Sequence, residues 1–346
     1  MKTNTKWIFL LLSLVLLASL SVAKAAGQGI QFGISTITLP DEIRNPDNEF
    51  SGLYISADKL FLLPENRLEH QEEGKLYVFN LSDLDRQIKD SSFRLPFSTV
   101  HIKHLNVVKQ KIKAEGQAYE GLEAILVSED TVYLSVESTT PSSYCYLLKG
   151  KLENSDLIID TQSILPVQKP LRKDGSRIYN AGFESLEIKD KEIILFYEFN
   201  GFPDTNNALI LDPSFTQKKL QTAPLLQSIP FRLTDITRTS DHHYTGINYF
   251  YKGGGPDTLY RPAKHELSLT KLVQDASGYH NYCRLIDIEY KENTLSWKTL
   301  WEFPPEYAAY NWEGIATSKN GYFIINDRYT PAKPYHTTLL YLSRGN

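Results

Sequence analysis

Five short phrases carry the residues that could do chemistry: Phe50-Ser51-Gly52-Leu53, Tyr119-Glu120-Gly121-Leu122, Phe183-Glu184-Ser185-Leu186, Leu233-Thr234-Asp235-Ile236 and Trp312-Glu313-Gly314-Ile315. Their second position reads Ser, Glu, Glu, Thr, Glu. If equivalent positions converge, three carboxylates and two hydroxyls face one point. Carboxylates that close repel one another unless a cation joins them or their pKa values rise. An all-oxygen donor set suits Ca²⁺ better than Zn²⁺. Ser51, Glu120, Glu184, Thr234 and Glu313 are therefore the expected ligands of an axial Ca²⁺.

Bases and acids gather around the same positions. Arg44, Arg177 and Arg232 precede the phrases, while Arg67, Lys252 and Arg328 follow the second apolar runs. Guanidinium forks match phosphate oxygens in two-point contacts, which makes Arg67, Arg177, Arg232 and Arg328 the expected substrate-binding residues. Glu65, Glu137, Glu198, Asp235 and Asp327 are interleaved with them. Glu65 and Asp327 are the candidate bases for an attacking water. Tyr119, Tyr179, Tyr310, Trp312 and Tyr329 could stack on a base or a sugar. Other chemistries find less support. His242 and His243 are adjacent, so on a strand they point to opposite faces, and the remaining histidines lack zinc spacing. There is no Gly-x-Ser-x-Gly elbow. Gly253-Gly254-Gly255 lacks the Lys-Ser/Thr of a phosphate loop.

The elements that must position these residues repeat with them. Each phrase opens an apolar run and is followed, after a polar turn, by another: Lys59–Leu63, Thr131–Ser135, Glu192–Phe196, Tyr244–Asn248 and Gly321–Ile325. Repeated strand pairs at intervals of 69, 64, 50 and 79 residues, counted between positions 51, 120, 184, 234 and 313, predict an all-β, five-bladed β-propeller. The second repeat is the plainest, with strands over 122–128, 131–137, 144–151 and 157–165. The third has strands over 186–188, 192–199, 208–212 and about 218–225; the fourth, over 236–239, 242–251, 282–290 and 294–303. The last repeat supplies three strands, over 315–317, 322–326 and 337–342. The lone strand 30–39 is expected to complete it and close the ring, removing an exposed edge. A six-bladed count would need a hidden blade in the insert 253–279, which contains no matching phrase. Helix is expected only as a turn near 81–89.

Bulk properties bound the class. Lys2 and Lys6, the apolar run 7–17 and Ala23-Lys24-Ala25 read as a secretory signal peptide over 1–25, too short for a membrane span. Residues 26–346 form the expected single domain, secreted or periplasmic, with no stable membrane insertion. With 37 basic and 41 acidic residues and a net charge of −4, the chain is no general nucleic-acid or membrane-surface binder. Cys145 and Cys283 occupy the third strands of blades that are not neighbours, so both are expected as buried, unpaired thiols.

The order Ser, Glu, Glu, hydroxyl, Glu on the inner strands resembles the calcium-activated apyrases, secreted nucleoside-diphosphate hydrolases in which the ring holds Ca²⁺ and the phosphates bind beside it. Glu120-Gly121-Leu122 and Glu313-Gly314-Ile315, with Tyr322–Asp327, also resemble bacterial secreted propellers of the esterase-like phytase type. Blade 3 departs from the apyrase pattern, ending Phe196-Tyr197-Glu198-Phe199-Asn200 without an arginine, and Thr234 replaces a ring serine. The resemblance implies a calcium-dependent phosphohydrolase acting on nucleotides or other small phosphate esters. The alternative is a non-enzymatic propeller that binds a protein or glycan partner, with the metal structural only. Against both stands a plainer possibility, in which the glutamates merely cap strand ends by accepting backbone N–H bonds.

Overall fold

The computed structural model describes residues 30–68, 73–139, 142–202, 206–215 and 221–345; the expected leader lies outside them. After β1 (Phe32–Ile37) come β2 (Phe50–Ser56), β3 (Lys59–Pro64), β4 (Gly74–Asn80) and β5 (Ser98–Lys103). A second set is β6 (Tyr119–Ser128), β7 (Thr131–Ser138), β8 (Tyr144–Glu153) and β9 (Asp156–Gln168), and a third is β10 (Ser185–Lys189), β11 (Glu192–Phe196), β12 (Asn206–Leu211) and β13 (Gln221–Leu226). In the fourth, β14 (Arg232–Ser240) and β15 (His243–Phe250) precede the insert, whose own ribbon is β16 (Gln274–Asp275) and β17 (Gly278–Tyr279). The set resumes with β18 (Tyr282–Lys291) and β19 (Thr294–Glu302). The chain finishes on β20 (Trp312–Ser318), β21 (Gly321–Asn326) and β22 (Leu339–Arg344).

Within each set the strands pair antiparallel with their sequence neighbours. β1 pairs with β22, from Phe32↔Arg344 to Ile37↔Leu339, and so supplies the fourth strand of the last set. Outer strands of adjacent sets also touch in parallel, β5 on β9 and β13 on β19. First strands contact one another in order, β2 on β6, β6 on β10, β10 on β14 and β14 on β20, and β20 packs against β2. The fold is all-β and propeller-type. Among the described residues no helix is long and apolar enough to cross a membrane.

The apolar runs form strands covered on both faces. In β3, Leu60 and Leu62 join one core cluster while Phe61 and Leu63 join the next, the period-two alternation of a strand sandwiched between layers. Each such side chain contributes roughly 1.5–3 kcal/mol on full burial. The small residue of the repeated phrase has a packing reason. A Cβ on Gly314 would lie 2.9 Å from the Leu53 backbone nitrogen, so only glycine lets β20 approach β2.

Helix is more extensive than the sequence pattern suggests. The expected turn near Leu81 is a nine-residue helix, Leu81–Lys89, and a ten-residue helix, Leu105–Ala114, was not expected. The latter buries Leu105, Val108 and Ile112 on one face, an apolar stripe at helical spacing. The former is tied to the chain after β1 by Gln87, whose side-chain amide donates to the Thr38 carbonyl (2.8 Å) and accepts from the Thr38 N–H (3.0 Å). The insert is ordered by a 3₁₀ turn (Gly255–Tyr260) and a short helix (Leu267–Val273). β22 starts at Leu339, not Thr337; just before it the Thr337 hydroxyl donates to the Asp327 carbonyl and the Thr338 N–H to the Asn326 side chain. Cys145 and Cys283 are free, buried and in different core clusters.

Candidate functional site

The repeated phrase does its work through broken strand register. In β2 the pairing with β3 skips from Phe50 to Gly52, leaving Ser51 as the extra residue. The same skip isolates Glu120 in β6, Thr234 in β14 and Glu313 in β20. Glu184 lies one residue before β10 begins. A bulge re-aims its extra side chain, so the second position of the phrase is turned out of the ladder in four of the five sets. β6 carries a second skip, between Leu122 and Ala124, which isolates Glu123 as well.

A cavity of about 670 Å³ opens where these residues gather. First strands and their approaches contribute Ser51, Glu120, Glu123, Glu184 and Glu313; the ends of second strands contribute Glu65, Glu137, Glu198 and Asp327. With Asp257 from the insert, nine carboxylate residues among those described face it, against the bases Arg67, Arg232 and Lys252. Among the described residues its lining includes neither histidine nor cysteine.

The acids from the second strands are matched by the protein. Lys169 is wholly buried and donates to Glu137 (3.2 Å) and to the Ser138 carbonyl (2.6 Å). Arg232 bonds Glu198 on one side and Asp257 on the other (2.7 Å), with its guanidinium over the Tyr260 ring. Arg67 bonds Glu65. Asp327 accepts from the Arg328 and Tyr329 N–H groups and from the Asn311 side chain. Burial pushes Glu65 and Glu137 up to about 7, while Arg67 and Lys169 respectively pull in the other direction.

Glu123, Glu184 and Glu313 differ. Among the described residues none of the three forms an ion pair. Burial, and then repulsion from neighbouring carboxylates, holds each well above the usual range. Glu184 accepts from the Gly182 N–H (3.1 Å), and Glu313 accepts from Asn311, whose amide also reaches Asp327.

Not every expected residue reaches the cavity. Ser51 lines it, yet its hydroxyl donates towards the carbonyls of Leu122 (2.7 Å) and Leu63 (3.3 Å). Thr234 lies outside the lining and donates to the Trp312 carbonyl (2.7 Å). Asp235 is buried between strands, accepting from the Ile236 and Ile315 N–H groups, both at 2.8 Å. Arg177 bonds the Ser143 hydroxyl (2.7 Å), and neither it nor Arg44 is among the lining residues. Arg328 borders a neighbouring cleft. Of the expected stacking residues, Tyr179 and Tyr329 are exposed at the rim. Trp312 is core, stacked on Tyr310 and donating to the Tyr307 carbonyl. Tyr119 donates to the Asn66 carbonyl instead.

Glu123, Asp257, Asn311 and Lys169 were missed. Residues 120 and 123 point to opposite faces of a regular strand, and only the two bulges bring both to the cavity. Asn311 carried a signal, sitting two residues before Glu313 and joined to it across the bulge.

The donor chemistry fits a hard cation, since all the acidic groups offer oxygen and negative charge is in excess. They are not gathered in advance: among the described residues no three His, Cys, Asp or Glu side chains form a ready metal cluster.

No family model and no curated protein matches the chain. Among solved structures it is similar to an exo-β-1,3-galactanase from Phanerochaete chrysosporium (8% identity over 91% of this chain and 64% of that one, TM-score 0.48). It is also similar to a putative oxidoreductase from Thermus thermophilus (8%, 90% and 99%, 0.46) and to a GH43_1 enzyme from Xanthomonas citri (7%, 89% and 89%, 0.44). None of the three is an apyrase or a phytase, and none of these likenesses bears on the chemistry of the cavity.

Proposed function

We propose that the five strand sets are the blades of a propeller closed by β1, that the axial cavity is a divalent-cation centre, and that the chain is an exported, cation-dependent hydrolase of small phosphate esters or anhydrides. One observation carries the reading: among the described residues nine acidic side chains meet three basic ones in a single cavity, and Glu123, Glu184 and Glu313 have no ion-pair partner. A surplus of this kind favours either protonation or a bound cation. Glu123, Glu184 and Glu313 would hold the ion, with Glu120 and Ser51 beside them; Ca²⁺ is favoured by the oxygen donors. Thr234 stitches strands in this scheme and is not a ligand.

A bound ion would polarise a phosphoryl oxygen. Glu65, held near neutrality, is poised to take the proton of the attacking water as the phosphorus–oxygen bond to the leaving group breaks. Arg67 sits at the cavity edge to receive phosphate charge. The leader would place the protein in a secreted or periplasmic setting.

The test is phosphate release from nucleoside diphosphates, phytate and p-nitrophenyl phosphate by the mature chain in Ca²⁺, Mg²⁺ or EDTA. Release that requires Ca²⁺ and drops at least a hundredfold in Glu184→Ala and Glu313→Ala is expected; equal turnover in EDTA sinks the reading. A second reading, action on a glycan, is favoured by the exposed Tyr179, Tyr251 and Tyr329 around a carboxylate-lined cavity. Paired carboxylates and aromatic faces serve glycoside hydrolysis. Release of reducing sugar with no release of phosphate would select it.

A further inference from the structure

Beside the axial cavity a second cleft, of about 520 Å³, is lined by Glu49, Arg67 and Arg328, and Glu65 and Arg67 belong to both. Arg67 follows β3 and Arg328 follows β21, so they come from different strand sets. Both nevertheless reach the same carboxylate. Arg67 Nε lies 2.9 Å from Glu49 Oε2, and Arg328 Nη1 contacts Oε1. One oxygen for each guanidinium is how two arginines would share a bound oxyanion.

Glu49 is held there at a conformational cost. Its backbone has φ 46° and ψ 77°, in the left-handed region that a residue with a Cβ seldom adopts. Exposure divides the three unequally: the Arg67 and Arg328 side chains are 42% and 32% exposed, and Glu49 only 13%. An anion entering the cleft can therefore reach both guanidinium groups, and Glu49 would be the group it displaces. The Glu65 carboxylate, bonded to Arg67 from the axial side, would keep that arginine in place during the exchange.

We propose that Arg67 and Arg328 form a phosphate-binding fork at the edge of the axial cavity, and that Glu49 fills it as an internal stand-in until a phosphorylated ligand replaces it. The inference deepens the reading of the site as one for phosphate compounds. It makes Glu49 a competitor, so removing its charge strengthens binding.

The experiment is calorimetric titration of the full mature chain with pyrophosphate in EDTA, which removes the cation from the comparison. Glu49→Gln is expected to bind at least tenfold more tightly than the parent chain. Adding Arg328→Gln to that variant should abolish the gain. Glu49→Gly, which removes the carboxylate and accepts the left-handed backbone, should behave like Glu49→Gln and covers the case in which the glutamine variant folds poorly. Unchanged affinity in the Glu49 variants, or a gain that survives Arg328→Gln, overturns the proposal. Neither result touches the cation centre, whose own failure is read from turnover in EDTA.

Discussion

Two sets of acid meet in one cavity, an inner set from the first strands and an outer set from the ends of the second strands, and the protein treats them differently. Glu65, Glu137, Glu198 and Asp327, at the ends of second strands, each have a built-in partner: Arg67, Lys169, Arg232, and a set of N–H donors. Glu123, Glu184 and Glu313, from the first strands, have neighbouring carboxylates as their largest charged influence. Their burial resembles that of the outer acids, so burial alone does not explain the difference. The outer set is neutralised by the fold. Among the described residues the first-strand acids have no ion-pair partner, so each must either take a proton or be joined by an external cation.

The sharpest way to break the comparison is to strip an outer acid of its partner. Lys169→Met leaves Glu137 buried beside other carboxylates with no ammonium. Removing one member of a buried pair costs about 3–5 kcal/mol, so denaturant unfolding at neutral pH should show a loss of that size. If the loss is below about 1 kcal/mol, the outer set is not neutralised by pairing and the contrast fails.

A buried acid away from the cavity separates the effect of burial from that of repulsion. Glu187 accepts from the Arg238 and Ile188 N–H groups, and burial raises it from 4.5 to about 7. In this window the folded state binds more protons than the unfolded one, so its contribution is complete below pH 4.5 and is lost as pH rises through 7. The loss is on the order of 3 kcal/mol at most. Glu187→Gln should therefore flatten the fall in stability between pH 5 and pH 8, as measured by urea melts at both. A fall as steep as that of the parent chain would assign the pH dependence to the cavity acids.

Much of this was legible in the sequence because the repeat imposes itself on local pattern. Alternating apolar runs such as Leu60–Leu63 specify strands covered on both faces, and the aromatic-polar-small-aliphatic phrase marks where each set begins. What escaped were departures from period two. The double bulge of β6 hides Glu123, and the helical spacing of Leu105, Val108 and Ile112 sits between lysines. Thr234 occupies the right position in the phrase and Asp235 follows it, but strand-to-strand hydrogen bonds take up both side chains. Lys169 lies far from Glu137 along the chain, and nothing in its local sequence announces that a buried ammonium is needed there.

The smallest effect tests the hydroxyl positions of the inner set. Thr234 and Ser51 occupy the same bulge as Glu313 and Glu120, yet each donates to a carbonyl of an adjoining first strand, Trp312 or Leu122. Their task is to hold neighbouring strands together where the bulge interrupts the ladder. Thr234→Val keeps the shape and leaves the Trp312 carbonyl without its donor, at about 1–2 kcal/mol. If the proposed cation centre binds Ca²⁺, calcium raises the melting temperature; that rise should survive Thr234→Val, because Thr234 does not line the cavity, and should vanish in Glu313→Gln. Ser51→Ala should lie between the two, since Ser51 both bonds Leu122 and lines the cavity. Paired melts with Ca²⁺ and with EDTA decide the ranking. If Thr234→Val removed the calcium shift as fully as Glu313→Gln, the hydroxyl and carboxylate positions would form a single functional ring, and their separation into strand ties and cation ligands would be wrong.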